Sequence, residues 1–330
     1  MCPMKKIIIT VIFVCLMLCG CAKNEPIRES TLIETNPSDY DFVEENAYGD
    51  LLVPTYITEI NGAYFIVDCY HNQVLYSFDL GLPIGDWFIM TSDIKMGHTI
   101  ASDGQVYLLD DTENNRILVM EKKLNGIGNP VFMPTQEFDQ IGNRPHYILY
   151  DEPTKTFYAW SSMSGEMFCF SHDEGDTRMH LDKVMSIPNL DGYYARSFSI
   201  IDNEFYIVSG DANIYRCSMD DFSVIAKYPV SPELVGMSQL VKIQDYYYLT
   251  ISTDNYGNQD AATLIRTTQL ENLVTGDYED IYDNFIGGGT PYCITYFEGH
   301  YYLCEHRLPG HSIWQFEIND NCVTNVTTLY

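Results

Sequence analysis

The chain has 330 residues, of which 46% are hydrophobic and 14% aromatic, a composition that can bury a core and argues against intrinsic disorder. Tyrosine alone contributes 26 residues, and this excess favours strands, because Tyr and Phe fit a pleated, half-buried surface. The formal net charge of -28 argues against nucleic acid as a partner, whose phosphates would be repelled.

Residues 1–21 have the layout of a secretory signal. Two lysines precede an apolar run over residues 7–18 that is too short to span a membrane. The segment ends in Leu-Cys-Gly-Cys, which resembles the lipobox of bacterial lipoprotein precursors, although Cys19 stands where Ala or Ser is more usual. That resemblance implies lipid attachment at Cys21, with its fatty-acid chains, and cleavage just before it. The alternative is an ordinary signal peptide cleaved nearby.

The domain organisation follows from this segment. We expect residues 1–21 to be a lipoprotein signal peptide, residues 22–50 a polar tether with a candidate closing strand, and residues 51–330 the folded domain. The protein would then be anchored to the cell membrane by its lipid and face away from the cytoplasm. So acidic a domain does not adhere to an anionic bilayer by charge, so the lipid would have to provide the anchoring.

A short aromatic and aliphatic strand pattern recurs along the rest of the chain. Its six copies begin 42 to 54 residues apart and read "YFIVD", "VYLLD", "FYAWS", "FYIVS", "YYLTI" and "YYLCE". Each copy follows another apolar run closed by a turn, such as Asn61-Gly62 or Asp103-Gly104, which are two-residue hairpin signals. A polar turn, a third strand and a looser fourth segment come after it. Each unit therefore reads as a four-stranded antiparallel meander.

Six such units predict an all-β, six-bladed β-propeller, because stacking small sheets around an axis buries their faces and leaves only short edges. A solenoid is the alternative architecture, although its repeats are usually shorter. Two segments could supply the outer strand of the last blade: the tail "CVTNVTTLY" or the segment "STLIET" near the tether.

The second unit, "GHTIASDGQVYLLDDTENNRILVME", resembles an NHL repeat. The first unit is a fainter match, and units three to six keep only the strand rhythm. This resemblance implies a six-bladed propeller of the NHL and lactonase-like type, a fold that hosts enzymes, ligand binders and scaffolds. In the turn itself, Asp110 or Asp111 can accept backbone hydrogen bonds, Asn114 and Asn115 suit a tight turn, and Arg116 can reach a carboxylate. We expect the turn to stabilise the blade rather than to bind a ligand.

The innermost strands of a propeller line its channel, and their first residues shape one mouth. Aligning the six units on their hairpin turns gives one equivalent position at the start of each innermost strand. The residues at that position are Tyr56, His98, His146, Ser197, Gln239 and Cys293, and Arg196 directly precedes Ser197. Polar groups that converge on a concave mouth are typical of a ligand site. We therefore expect ligand binding there by these residues, Ser197 excepted, together with Arg196.

A divalent metal in the channel is a further hypothesis, because NHL-like lyases carry channel metals on histidines near this point. His98 and His146 would be two ligands, and Cys293 or a loop carboxylate could add a third, since zinc takes three or four protein ligands. The alternative is that both imidazoles are hydrogen-bonded locally. No catalytic residue stands out, since the chain contains no G-x-S-x-G motif.

The six cysteines beyond the export segment are scattered and have no zinc-ligand spacing. A two-residue turn at Glu298-Gly299 would place Cys293 directly opposite Cys304, within disulfide range or as two reduced thiols.

Three functions remain open at this stage. The first is a surface lipoprotein whose propeller binds a small molecule, glycan or protein at the channel mouth. The second is a metal-dependent enzyme of the lactonase or lyase kind. The third is a scaffold for envelope assembly.

Overall fold

The fold consists of six antiparallel sheets arranged as a six-bladed β-propeller. The structure is a computed structural model and describes residues 30–37, 44–253, 258–285, 289–306 and 312–330. The predicted signal peptide and Cys21 lie outside the described residues. Among the described residues, no helix is both long and apolar enough to cross a membrane. The prediction of an all-β propeller with four-stranded blades is confirmed.

The first three blades each take four consecutive strands. A two-residue strand, β1 (Thr31–Leu32), precedes them. The strands of blade one are β2 (Pro54–Ile60), β3 (Ala63–Asp68), β4 (Gln73–Ser77) and β5 (Phe88–Thr91). The strands of blade two are β6 (Ile100–Ser102), β7 (Val106–Asp111), β8 (Arg116–Leu124) and β9 (Pro130–Phe138). The strands of blade three are β10 (Pro145–Asp151), β11 (Thr156–Ser161), β12 (Glu166–Ser171) and β13 (His180–Ser186).

The last three blades repeat the arrangement. The strands of blade four are β14 (Ser197–Ile201), β15 (Glu204–Ser209), β16 (Asn213–Ser218) and β17 (Val224–Pro229). The strands of blade five are β18 (Gly236–Ile243), β19 (Tyr246–Thr253), β20 (Thr263–Thr267) and β21 (Glu279–Asp280). The strands of blade six are β22 (Thr290–Phe297), β23 (His300–His306), β24 (Ile313–Asn319) and β25 (Cys322–Thr328).

Short 3-10 helices occupy several of the connections. They are Cys69–His71, Ile84–Asp86, Thr112–Asn114, Pro188–Leu190, Pro232–Leu234, Gln259–Ala261, Leu270–Val274 and Tyr282–Asn284. Their brevity agrees with the lack of a sustained helical period in the sequence.

The apolar core lies between blades. Six clusters of buried side chains each join two neighbouring blades around the ring, so every blade buries both of its faces. Trp87 of blade one, for example, shares a cluster with Tyr302 and Ile313 of blade six, which closes the ring. Full burial of one large apolar side chain is worth roughly 1.5–3 kcal/mol, so these six interfaces dominate the stabilisation of the fold.

The two candidate closing segments have different roles. The C-terminal tail supplies β25, the outer strand of blade six. The segment near the tether instead adds β1 to the outer edge of blade two, where Thr31 pairs with Glu137 and Leu32 with Gln136. Further along, Glu45 pairs with Phe88 at the edge of blade one. The N-terminal segment therefore covers two exposed sheet edges, which would otherwise invite pairing with other chains.

The turn after β7 holds blade two together, as its sequence indicates. The carboxylates of Asp110 and Asp111 in this turn are fully buried. Asp110 accepts hydrogen bonds from the backbone N–H of His98 at 2.8 Å and of Thr99 at 2.7 Å. Asp111 accepts from Asn114 Nδ2 at 3.0 Å and from Arg116 Nε at 2.8 Å. The predicted stabilising role of the turn is therefore confirmed, and Asp110 additionally fixes the backbone that carries His98.

Candidate functional site

One end of the axial channel opens into a pocket of about 190 Å³. We call it the mouth pocket. Its walls come from the segments that lead into the innermost strands and from the turns between second and third strands, so several blades contribute to it. The polar side chains of its lining include His98, Arg144, Tyr194, Arg196, Tyr292 and His306.

The two histidines of the sequence hypothesis meet at this pocket. The rings of His98 and His146 stack with centroids 3.7 Å apart and planes 20° apart. The Tyr292 hydroxyl lies 3.0 Å from Nδ1 of His98 and 3.3 Å from Nε2 of His146. The Tyr194 hydroxyl lies 2.6 Å from the same Nε2 atom. Two imidazoles and two phenols thus form one continuous hydrogen-bonded group.

The hydrogen bonds fix the protonation of His146. Its Nδ1 lies 2.9 Å from the backbone carbonyl oxygen of Arg196, which can only accept a hydrogen bond, so Nδ1 carries the proton. Nε2 then accepts from Tyr194.

Both imidazoles are held neutral. Burial, followed by the charges of Arg144 and Arg196, lowers the pKa of His98 to about 3. Burial and the adjacent His98 hold the pKa of His146 well below its ordinary value.

Two arginines bring positive charge to the mouth pocket. Nη1 of Arg196 donates to the carbonyl oxygen of Gly236 at 2.8 Å and to Oγ of Ser252 at 2.6 Å. Its guanidinium carbon lies 5.2 Å from the centre of the Tyr194 ring. Arg144 pairs through Nη1 with Glu113. Burial raises the pKa of Tyr194, and the two nearby arginines oppose that shift.

The other predicted residues form a separate layer of the channel. Nε2 of Gln239 donates to the Tyr147 hydroxyl at 3.2 Å and contacts Sγ of Cys293 at 3.1 Å. Its Oε1 accepts from the backbone N–H of Ile294 at 2.7 Å. The Tyr56 and Tyr147 rings pack edge to face with centroids 6.4 Å apart. Tyr56, Gln239 and Cys293 are therefore brought together, but they are absent from the described lining of the mouth pocket.

The strand register corrects the alignment from which these positions came. Tyr56 pairs with Val67, Ser197 with Val208, Gln239 with Thr250 and Cys293 with Cys304, so these four are equivalent. In blade two, Ile100 rather than His98 occupies that position, opposite Leu109. In blade three, Tyr147 occupies it, opposite Trp160, and His146 lies in an adjacent bulge.

The longer hairpin of blade two accounts for the two-residue displacement of His98. Its last pair is Ser102 with Tyr107, whereas the hairpin of blade one closes at Ile60 with Ala63. The Asp103 carboxylate accepts from the backbone N–H groups of Gln105 and Val106 and so stabilises the wider turn. Asp103-Gly104 therefore does not form the two-residue turn that its sequence indicates.

The geometry of the histidine pair does not fit a single shared metal ion. A zinc ion lies in the plane of each ligating imidazole, about 2.0–2.1 Å from the nitrogen. Two nearly parallel rings whose centroids are 3.7 Å apart cannot both meet that condition with one ion. Among the described residues, no group of three or more His, Cys, Asp or Glu side chains could hold a metal.

Some residues of the mouth pocket escaped the sequence alignment. Arg144, Tyr194 and His306 lie in or beside the connections between strands, where a strand repeat gives no register. A weak signal was available in the charges: the chain has only 18 Lys and Arg residues, and Arg144 and Arg196 each come just before an innermost strand.

A larger cavity of about 370 Å³ lies on the outer side of the ring. It runs between β5 and β9, and its walls are mostly apolar side chains such as Met90 and Phe132. It brings together no set of histidines or arginines, so the mouth pocket is the better candidate for a functional site.

No protein-family model matches the chain, and no curated protein matches it by sequence. Solved structures match its fold. A candidate 6-phosphogluconolactonase from Bacteroides fragilis has a TM-score of 0.60 at 11% identity, over 83% of this chain and 84% of that one. A catalytically inactive virginiamycin B lyase from Staphylococcus aureus, solved with quinupristin, has a TM-score of 0.54 at 15% identity, over 90% and 88%. A streptogramin B lyase has a TM-score of 0.54 at 14% identity, over 88% and 87%.

These neighbours share the fold along most of their length. At such low identities the similarity extends to the fold alone, because one propeller architecture hosts many unrelated sites. The chain is therefore an all-β propeller similar in fold to lactonase-like and lyase propellers.

Proposed function

We propose that this protein is an exported, lipid-anchored propeller that binds a small ligand in its mouth pocket. One observation carries the proposal: side chains from blades two, three, four and six converge on a single pocket of about 190 Å³ at the channel end. Convergent polar groups on a rigid concave surface are the usual design of a ligand site.

The chemistry of the pocket suits recognition of a polar ligand. The imidazole of His98, which lines the pocket, is neutral because burial lowers its pKa, so it can accept as well as donate hydrogen bonds. Tyr292 joins His98 to His146, and this shared network holds the side chains in fixed positions before a ligand arrives. Preorganisation of this kind reduces the entropy cost of binding.

A pair of matched tyrosine variants tests ligand binding. Tyr292→Phe removes the hydroxyl that joins the two histidines but keeps the ring. Tyr296→Phe on the same strand is the control, because Tyr296 is 61% exposed and far from the pocket. The full-length protein, purified in detergent, would be titrated by calorimetry with neutral sugars, amino acids and small carboxylates.

The expected result is at least one compound whose affinity falls severalfold in Tyr292→Phe and is unchanged in Tyr296→Phe. Equal binding by both variants, or no binding of any compound, would contradict the proposal.

The lipid anchor is the second part of the proposal and rests on the sequence of residues 1–21. In cells supplied with labelled fatty acid, Cys21→Ala should leave an unlabelled and uncleaved precursor, because the thiol that receives the lipid is gone. Cys19→Ala, which makes the segment a more usual lipobox, should still be labelled. Label that persists in Cys21→Ala would refute the anchor.

An enzyme is the second candidate function. The Tyr194 hydroxyl lies only 2.6 Å from Nε2 of neutral His146, an arrangement in which a phenol and an imidazole can exchange a proton with a bound substrate. The fold neighbours named as a lyase and a candidate lactonase make such chemistry worth testing. Hydrolysis or opening of a lactone that His146→Gln abolishes would favour this candidate, and measurement of bound metal in the same sample would test the metal hypothesis.

A further inference from the structure

The mouth pocket differs in charge from the rest of the molecule. The chain carries 46 Asp and Glu residues against 18 Lys and Arg. Yet two arginines line the pocket, and no carboxylate does among the described lining residues. Glu113 offsets the charge of Arg144, whereas the described bonds of Arg196 go to uncharged groups, so the lining keeps a positive charge in an otherwise acidic protein.

Each arginine leaves donors available to a ligand. Arg196 makes its hydrogen bonds to Gly236 and Ser252 through Nη1 alone. The remaining three N–H groups, on Nη2 and Nε, have the Tyr194 hydroxyl as a neighbouring acceptor, and one hydroxyl oxygen cannot satisfy all three. Arg144 donates to Glu113 through Nη1 and also interacts with the Tyr194 hydroxyl, which leaves part of its five N–H groups for a ligand. A guanidinium with a free edge presents two parallel N–H groups, which match the two oxygens of a carboxylate or phosphate.

The Tyr194 phenol lies near both guanidinium groups and donates its proton to His146, so the donors for an anion come from the two arginines. The pocket of about 190 Å³ is smaller than the roughly 300–1,000 Å³ typical of sites for drug-sized ligands. It therefore fits one anionic group rather than a whole large molecule.

We infer that the mouth pocket binds the oxyanion group of a small ligand, a carboxylate or a phosphate, between Arg144 and Arg196. This inference rests on the proposed function and specifies the ligand class for the same pocket. Arg196 is held in place by Gly236 and Ser252 and supplies the fixed side of the site. Arg144, whose side chain is 32% exposed, supplies the side nearer solvent.

The test is calorimetric titration of the full-length protein with inorganic phosphate and with acetate, at ionic strength held constant with sodium chloride. Acetamide, which has the shape of acetate without its charge, is the matched neutral compound. Arg144→Gln should weaken binding of both anions at least tenfold. Arg178→Gln, in an exposed loop outside the pocket, should bind like the wild type.

Arg196→Gln also removes hydrogen bonds that support the fold, so its circular dichroism spectrum must first match the wild type. Arg196→Lys keeps the charge but loses the paired donors, and should bind each anion more weakly than the wild type. Anion affinities that are no greater than that of acetamide, or that are unchanged in Arg144→Gln, would overturn the inference.

The outcome separates this inference from the proposed function. Suppose that neutral compounds bind, that Tyr292→Phe weakens them, and that the arginine variants do not. The pocket is then a ligand site, and its ligand is not an anion. If Tyr292→Phe alters the binding of no compound, the proposed function itself fails.

Discussion

The turn of blade two and the mouth pocket lie next to each other and bury polar side chains in different ways. At the turn, Asp110 accepts from two backbone N–H groups and also from the hydroxyls of Thr99 and Thr112. At the mouth pocket, Arg144 and Arg196 line a cavity, and their described bonds to the fold use only part of their five N–H groups. The turn is closed within the protein, whereas the mouth pocket is open on one side.

This difference indicates which buried polar side chains stabilise the fold and which can bind a ligand. A buried polar group whose partners are all within the fold contributes to stability, and removing it leaves those partners unsatisfied. A group that keeps free donors towards a cavity has its remaining partners outside the protein. Variants at the turn should therefore lower the free energy of unfolding, while variants of the mouth pocket should mainly change affinity.

The largest effect is expected from Asp110→Ala. Its loss leaves the backbone N–H groups of His98 and Thr99 without an acceptor inside the fold. Because each unsatisfied buried donor costs about 1–3 kcal/mol, we expect a loss of about 4 kcal/mol in the free energy of unfolding.

Urea denaturation measures this effect, with Asp277→Ala, an exposed aspartate outside blade two, as its control. A loss similar to that of the control would show that the turn is not the closed structural element described here.

The next effect is the response of the mouth histidines to acid. The pKa of His98 is lowered to about 3, and that of His146 is also lowered, so the unfolded chain binds protons that the folded chain does not. Their contribution to stability is present above about pH 6.5 and is lost as pH falls, by about 1.4 kcal/mol per pH unit for each imidazole. Urea unfolding at pH 7.0 and 5.5 should show this loss, and His98→Gln should reduce it by about half.

The contribution of Asp110 to stability should change with pH in the direction opposite to that of the two histidines. Burial raises its pKa from 3.8 to about 6, so the folded state binds the proton more readily than the unfolded state. Its contribution to stability is greatest at low pH and decreases as pH rises from about 4 to 6. The difference between wild type and Asp110→Ala should therefore narrow over that range. A pH-independent difference would contradict this cause.

A smaller loss of stability is expected when Arg116 is replaced, since its side chain pairs with carboxylates at the same turn. Its guanidinium contacts Asp111 and Glu137, both at 2.8 Å, and is largely buried. Arg116→Met should cost about 2 kcal/mol, because it leaves the buried Asp111 carboxylate without its counter-charge. Arg178→Met, in an exposed loop, should change stability by less than about 0.5 kcal/mol. Equal losses in thermal unfolding would show that Arg116 is not a structural partner.

The smallest effect concerns Cys293 and Cys304 in the deeper layer of the channel. The two residues are paired across β22 and β23, as the sequence predicts, and both are buried and reduced. Mild oxidation followed by peptide mapping should find a crosslink between them, with about 1 kcal/mol of stabilisation after strain offsets part of the loop entropy. Exclusive pairing of either thiol with Cys69 or Cys169 would contradict the register.

The fold could be predicted from the sequence because the pattern of strands and hairpin turns is local and is repeated six times along the chain. Two-residue hairpins such as Glu298-Gly299 fix the register of their strands, and Glu298 has the φ of 50° that such a turn requires. Where a turn is wider, as after Ser102, the same reasoning misplaces His98 by two residues. The pairing of β1 with blade two could not be predicted, because it joins segments about a hundred residues apart.

The site could be predicted only in part. His98, His146 and Arg196 were recognised from their positions near the starts of innermost strands, and the structure does bring them together. The separation of Gln239 and Cys293 into another layer depends on which way each side chain points. Tyr194 and Arg144 come from connections whose path is set by packing between blades, which a repeat pattern does not encode.

The way in which the ring closes has a mechanical consequence. Each blade draws its four main strands from one uninterrupted stretch of chain, so no strand is exchanged between the ends of the propeller. In the described part of the chain, the junction between blades one and six is held by side chains: the cluster around Trp87 and Tyr302, and the bond from the Tyr330 hydroxyl to the Leu80 carbonyl. Partial separation at this junction would break no strand pairing. Opening at this junction is therefore resisted by side-chain packing rather than by strand pairing.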